Sequence, residues 1–151
     1  VPIPPLKPAP VTITIPIHWG DMDALGHVNN VLFFRYLESA RVAYIQALGL
    51  SSLREIRPAD GSPAVGFILQ HAQCRFRRPV IYPDTLRVTA RLQSIESDRF
   101  SLEHEIISDS QRDVAALGTG TIVTYDYTQQ TKTPMPDEIR LAIERLERKA
   151  T

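Results

Sequence analysis

The run His18-Trp19-Gly20-Asp21-Met22-Asp23-Ala24-Leu25-Gly26-His27-Val28-Asn29-Asn30, continued by Val31-Leu32-Phe33-Phe34-Arg35-Tyr36-Leu37-Glu38-Ser39-Ala40-Arg41, joins the densest polar cluster of the chain to a strongly apolar segment. From Asn30 to Leu48 the residues Phe33, Leu37, Ala40, Tyr44, Ala47 and Leu48 recur every three or four positions, while Arg35, Glu38, Ser39 and Gln46 gather on the other side. That is the period of an amphipathic helix. Leu32, Phe34, Tyr36, Ala43 and Ile45 widen its apolar stripe beyond what one neighbouring helix covers, and a curved sheet meets that need. Asn29 or Asn30 suits the N-cap and Gly49 the C-cap.

Outward from this helix the period changes to two. Val11-Thr12-Ile13-Thr14-Ile15-Pro16-Ile17 alternates as a half-buried strand, with Pro16 marking an edge or a strand end. Thr85 to Leu92 alternates cleanly, and further strands are expected at about 65 to 76, 100 to 107 and 114 to 127. The polar turns Glu96-Ser97-Asp98-Arg99 and Asp109-Ser110-Gln111-Arg112 are short, which implies antiparallel hairpins. Pro136-Asp137-Glu138 opens a second helix with Ile139, Ala142, Ile143 and Leu146 on one face. Residues 51 to 64 read as a loop. Residues 1 to 10, with Pro2, Pro4, Pro5, Pro8 and Pro10, read as an extended arm outside one domain spanning 11 to 151. The order strand, long helix, four strands, short helix gives an α+β class: one antiparallel sheet around a central helix.

Composition narrows the function. A chain of 151 residues suits a single domain that buries roughly two-thirds of its unfolded surface. With 43% hydrophobic residues it is not disordered, and none of its apolar runs approaches the roughly 20 residues of a membrane span. Seventeen basic and seventeen acidic side chains balance, so no positive field gathers a nucleic-acid backbone. The basic residues are mostly arginine, whose planar fork suits a local phosphate or carboxylate, and a phosphorylated small molecule stays open. Cys74 is the only cysteine and forms no internal disulfide. With no apparent secretion signal in the sequence, the cytoplasm is the expected compartment.

The polar loop has the parts of an active site. A helix start carries amides without intrahelical acceptors, which with the helix dipole can hold an oxyanion. A carboxylate fixed beside them can attack a carbonyl carbon or activate a water to do so. Asp, Asn and Gly are equally the ordinary formers of a strand-to-helix turn, and the pattern alone leaves both readings open.

The same residues resemble a known family. Trp19 to Asn30, followed by Phe33 to Arg41, is similar to the signature of the hotdog-fold acyl-CoA thioesterases of the 4-hydroxybenzoyl-CoA thioesterase type. Phe76-Arg77-Arg78-Pro79-Val80-Ile81-Tyr82-Pro83-Asp84-Thr85-Leu86 is similar to the family's second motif, and Pro134-Met135-Pro136 to its lead into the last helix. The resemblance spans about residues 11 to 148. It implies a hotdog fold, a five-stranded antiparallel sheet wrapped around a long central helix, assembled as a homodimer or homotetramer with active sites at the subunit interface. It implies an acyl-CoA substrate, Asp23 as nucleophile or general base, and the backbone amide of Asn30 as the donor that polarises the thioester carbonyl. Some relatives carry histidine at the position of Asn30.

Around that assignment, Gly26 lets the loop turn tightly, and His27 takes a catalytic, orienting or structural part. Arg77 and Arg78, with Arg75 and Arg91 as further candidates, are the local donors for the coenzyme A phosphates. Asp21 is expected to brace the loop, and no metal or redox cofactor is expected. His18, His71 and His104 are expected to be satisfied polar groups on the sheet, Glu38 a partner of Arg41 or Arg35, and Cys74 inert. Phe33, Phe34, Tyr36, Phe67 and the Ser62-Pro63 loop are expected to shape the acyl pocket. Two other classes compete: a hotdog hydratase or dehydratase, and a non-catalytic acyl-CoA-binding module.

Overall fold

Alternating side chains over Val11–Pro16 form strand β1 in the computed structural model, which describes residues 3–50 and 64–150. Asn30–Ala47 forms the long helix α1, and Val65–Phe76, Thr85–Ile95, Arg99–Ser108 and Asp113–Asp126 form β2 to β5. A short β6, Thr131–Lys132, pairs with β5, and Asp137–Arg148 forms α2. The long strands lie in the order β1-β3-β4-β5-β2, antiparallel throughout. This is the expected five-stranded sheet with a sixth short strand added. The hairpin ladders run further into their turns than the sequence pattern suggests, because β3 continues to Ile95 and β4 starts at Arg99. Residues 51–63, which carry the expected loop and Ser62-Pro63, lie outside the described residues.

One face of the sheet meets α1. Leu86, Val88, Phe100, Leu102, Ile106 and Ile122 pack against Phe33, Tyr36, Leu37, Ala40 and Tyr44. Leu37 of the helix packs against Gly118 of β5, where a Cβ would stand 2.6 Å from both Leu37 methyl groups. A side chain at that position would push the helix off the sheet. Two expectations about the helix are corrected. Ala47 is exposed and Phe34 is 39% exposed, whereas Arg41 is buried, its guanidinium lying over Gly120 where a larger residue would collide with it. Burial lowers the Arg41 pKa and the Glu38 charge opposes that shift, but among the described residues the two do not form the expected ion pair. The helix α2 is tied in by Glu147, which accepts hydrogen bonds from the Tyr44 hydroxyl at 2.6 Å and the Leu92 amide at 2.7 Å.

Residues 3–10 of the expected arm are tied to the sheet. The arm lies on the sheet face opposite α1, where the Leu6 amide donates to Glu105 Oε1 at 3.0 Å and the Arg87 guanidinium donates to the Ile3 carbonyl. Lys7 pairs with Glu103 at 3.1 Å, and Arg91 pairs with the same carboxylate. Glu105 is buried, and the arm's amides supply the partners that a buried carboxylate needs.

His104 departs from the expected satisfied sheet residue. Only 2% exposed, it donates from Nδ1 to the Thr89 carbonyl at 2.9 Å, and its Nε2 has no hydrogen-bond partner. Burial, reinforced by the Arg41 charge, pushes its pKa down to about 4. The unfolded chain binds this proton near 6.5, so stability falls as pH drops from about 6.5 through about 4, by roughly 3 kcal/mol in total. Urea unfolding of the wild type and of His104→Met at pH 7 and pH 4.5 should show a larger loss for the wild type. Parallel losses would contradict this role.

Candidate active site at the start of the central helix

The backbone of the loop fixes the site before any side chain does. After β1 the Ile17 amide donates to the Asp84 carbonyl at 2.9 Å, and Trp19–Asp21 makes one 3-10 turn. The Asp21 carboxylate accepts from the His18 amide at 2.8 Å, and the Asp21 carbonyl accepts from the Asn29 amide at 3.0 Å. Between these ends the chain doubles back. The Asp23 amide donates to the His27 carbonyl at 2.9 Å, the Gly26 amide donates to the Asp23 carbonyl at 3.0 Å, and Met22 bridges Val28. Gly26 has φ +82°, a conformation that glycine adopts without a Cβ penalty. Asp21 therefore braces the loop, as expected.

The helix cap then allocates the first amides. Asn29 is the N-cap: its Oδ1 accepts from the Val31 amide at 2.9 Å and its carbonyl from the Leu32 amide at 3.0 Å. The Asn29 amide is already bonded to Asp21. The Asn30 amide has no acceptor among the described residues. It is thus left available at the positive end of the helix dipole.

Asp23, His27, Asn30, Arg77 and Arg78 line one cavity of about 530 Å³, with Leu25, Val28, Phe33, Phe76 and Pro79 as its apolar walls. Asp23 is half-buried, and its Oδ1 accepts from the Leu25 amide at 2.9 Å. One oxygen is therefore anchored while the other keeps its lone pairs for chemistry. Phe33 is 3% exposed and packs edge-on against Phe76, ring centroids 5.2 Å apart. Sequence reasoning named Phe33 but not Phe76 as a wall, although Phe76 sits at the head of the second motif. The other expected pocket residues lie elsewhere: Tyr36 lines a separate cavity with Asp21, and Phe67 packs on Phe100.

Arg77 and Arg78 stand just past the end of β2, their amides both donating to the Ala115 carbonyl at 2.8 and 3.0 Å. Arg78 pairs with Asp113 at 2.7 Å. The Val114 amide first, and then the two arginines, hold the Asp113 carboxyl below its usual range. Arg75 and Arg91 are corrected as phosphate candidates. Both line a different cavity of about 310 Å³ on the arm side of the sheet, and Arg91 is occupied by Glu103. The strand period places Arg75 one step away from Phe76 and hence on the opposite face.

The remaining polar groups are quiet or structural. The Tyr36 hydroxyl is buried and approaches the Asp21 carboxylate without completing a hydrogen bond; burial first, and then that charge, raise its pKa. Burial pushes the Cys74 thiol up to about 11, which keeps it a thiol at neutral pH. Among the described residues no three His, Cys, Asp or Glu side chains converge as metal ligands.

A long helix cradled by an antiparallel sheet, with a cavity at the helix start lined by Asp23 and Asn30, is a hotdog scaffold with a candidate site. The chain belongs to the thioesterase-like superfamily, whose family model matches residues 17–143. Among solved structures it resembles a candidate thioesterase from Pseudomonas aeruginosa, at 34% identity with 87% of this chain and 96% of that one covered and a TM-score of 0.71. A thioesterase of Thermus thermophilus crystallised with coenzyme A and zinc is 27% identical over 94% of this chain and 97% of its own, with a TM-score of 0.77. The long-chain acyl-CoA thioesterase FadM of Escherichia coli is 26% identical over 125 residues, 83% of this chain and 90% of FadM.

The cap generates a direct test. Asn29→Ala should lose about 1 kcal/mol of unfolding free energy, and Asn29→Asp, which keeps the acceptor, should lose much less. Urea titration of both variants checks this, and equal losses would show that the Oδ1 to Val31 bond is not what the helix start depends on.

Proposed function

We propose that this chain hydrolyses an acyl-CoA thioester to the free acid and coenzyme A. The observation that carries the reading is that Asp23 and Asn30, whose amide has no acceptor among the described residues, line one cavity together with Arg77 and Arg78. The relatives named above act in the same sense, since they are thioesterases by name and one was crystallised with coenzyme A.

The chemistry follows from what each group can do. The thioester carbonyl oxygen accepts a hydrogen bond from the Asn30 amide, which stabilises the negative charge that grows as the carbon becomes tetrahedral. One such donor contributes about 2.7 to 4 kcal/mol to a transition state. The free oxygen of Asp23 either attacks the carbonyl carbon, giving a mixed anhydride that water then opens, or takes a proton from a water that attacks in its place. In both routes the carbon–sulfur bond breaks and coenzyme A leaves as the thiolate. His27 lies on the same loop within reach of either role, and Gly26 holds the loop in the conformation that presents Asp23. Asparagine at position 30 offers no acid or base, so the donor is the main-chain amide.

Arg77 and Arg78 bind the phosphates of coenzyme A at the cavity mouth. The enzyme works as a homodimer or homotetramer, with the cavity completed at a subunit interface. Support comes from β2, a sheet edge that exposes Ile68, Leu69 and Phe76, and from Val31, which is 68% exposed beside the cavity. Apolar side chains on an unpaired edge favour pairing with another chain.

Asp23→Asn should lower kcat by roughly 100-fold or more in a thiol-release assay on acyl-CoA, with an unchanged circular dichroism spectrum and elution volume. Near-normal turnover would reject Asp23 as the reacting carboxylate, and binding of acyl-CoA without any thiol release by the wild type would point to the binding-module reading.

A further inference from the structure

Asp113 opens β5, and its two carboxylate oxygens are both committed: Oδ1 accepts from the Val114 amide at 2.7 Å, and Oδ2 meets the Arg78 guanidinium at 2.7 Å. Arg78 lines the cavity that holds Asp23, whereas Asp113 does not. The pair is half open to water, with 51% of the arginine and 37% of the aspartate side chain exposed. Ion pairs this exposed are weak and exchange readily for a stronger anion. The amides of Arg77 and Arg78 are fixed to one carbonyl of the same strand, so the two guanidinium stems leave the backbone from a rigid point. Among the described residues Arg77 makes no ion pair.

We propose that Asp113 is a specificity-determining residue that stands in for a substrate phosphate: it occupies Arg78 beside the cavity and yields it only to an anion that outcompetes a carboxylate. The inference rests on the proposed coenzyme A site. While the pair is intact the guanidinium is committed to Asp113, so an arriving anion must displace that carboxylate. The same carboxylate also lowers the positive potential of the mouth, so an anion binds only if it outcompetes one carboxylate. Phosphoryl oxygens of a nucleotide do so; the carboxylate of the released acid, an equal of Asp113, gains little. Asp113 thereby favours binding the phosphate-bearing substrate over rebinding the acid product in the same place.

The test compares a short-chain acyl-CoA with the matching S-acyl-pantetheine, which lacks every phosphate. Asp113→Asn keeps the acceptor for the Val114 amide and discards the charge. It should lower KM for acyl-CoA about two- to five-fold with kcat unchanged, leave KM for the pantetheine thioester unchanged, and steepen the salt dependence of the first. Inhibition by the free acid should strengthen in the same variant, and Asp113→Glu should restore wild-type values. Calorimetric binding of coenzyme A alone gives a readout that needs no hydrolysis, and it should tighten in Asp113→Asn. An unchanged or raised KM, an unchanged or weakened affinity for coenzyme A, or an equal change on both thioesters would overturn the role of Asp113 while leaving hydrolysis by Asp23 in place. Failure of the wild type to cleave either thioester would instead overturn the proposed function.

Discussion

The hydrogen bond from the Val31 amide to the Asn29 side chain decides how the start of the central helix is used. A helix start offers several amides with no partner, and this one disposes of them selectively. Val31 and Leu32 are satisfied by Asn29, and the Asn29 amide is satisfied by Asp21. The Asn30 amide, the first of the helix, has no acceptor among the described residues. The same loop brings Asp23 to the cavity that Asn30 lines, so in the proposed mechanism the donor and the acid share a frame built from main-chain bonds. Preorganisation of this kind matters because a donor that must reorient during the reaction loses most of its advantage.

The frame extends into the core. The helix reaches the sheet because β5 is hollowed at Gly118, where Leu37 seats, and at Gly120, where the buried Arg41 passes. Phe33 lies one turn below Asn30, and its packing on Phe76 joins the helix start to the end of β2, just before Arg77 and Arg78. Phe33, Phe76, Asn30, Arg77 and Arg78, which all line the cavity, are therefore linked through one helix–sheet contact. The arm and α2 brace the assembly elsewhere, through Glu105 and Glu147, without entering the site.

Much of this was legible in the letters because the signals are local. Helix α1 and the alternating strands follow from side-chain period, and Asn29 as the cap follows from residue chemistry. The position of the site was legible for a similar reason, since Asp21 to Asn30 fall within one loop. Long-range facts were not. That Arg75 and Arg91 lie on the other face, that Arg41 is buried and that Phe76 walls the cavity all depend on sheet register and on which strands become neighbours. His104 shows the limit most clearly: its strand position is readable, but a half-satisfied imidazole under the helix depends on Thr89 across the ladder and on Arg41 above it.

The central claim is that one main-chain amide, that of Asn30, receives the thioester carbonyl oxygen. Amide proton shifts measured during titration with an acyl-CoA analogue that carries a methylene in place of the thioester sulfur address it directly. The account predicts a saturable downfield displacement of the Asn30 amide proton, with the Val31 and Leu32 amides, already bonded to Asn29, moving far less. A bound analogue that leaves the Asn30 resonance in place, or that shifts Val31 instead, would contradict it.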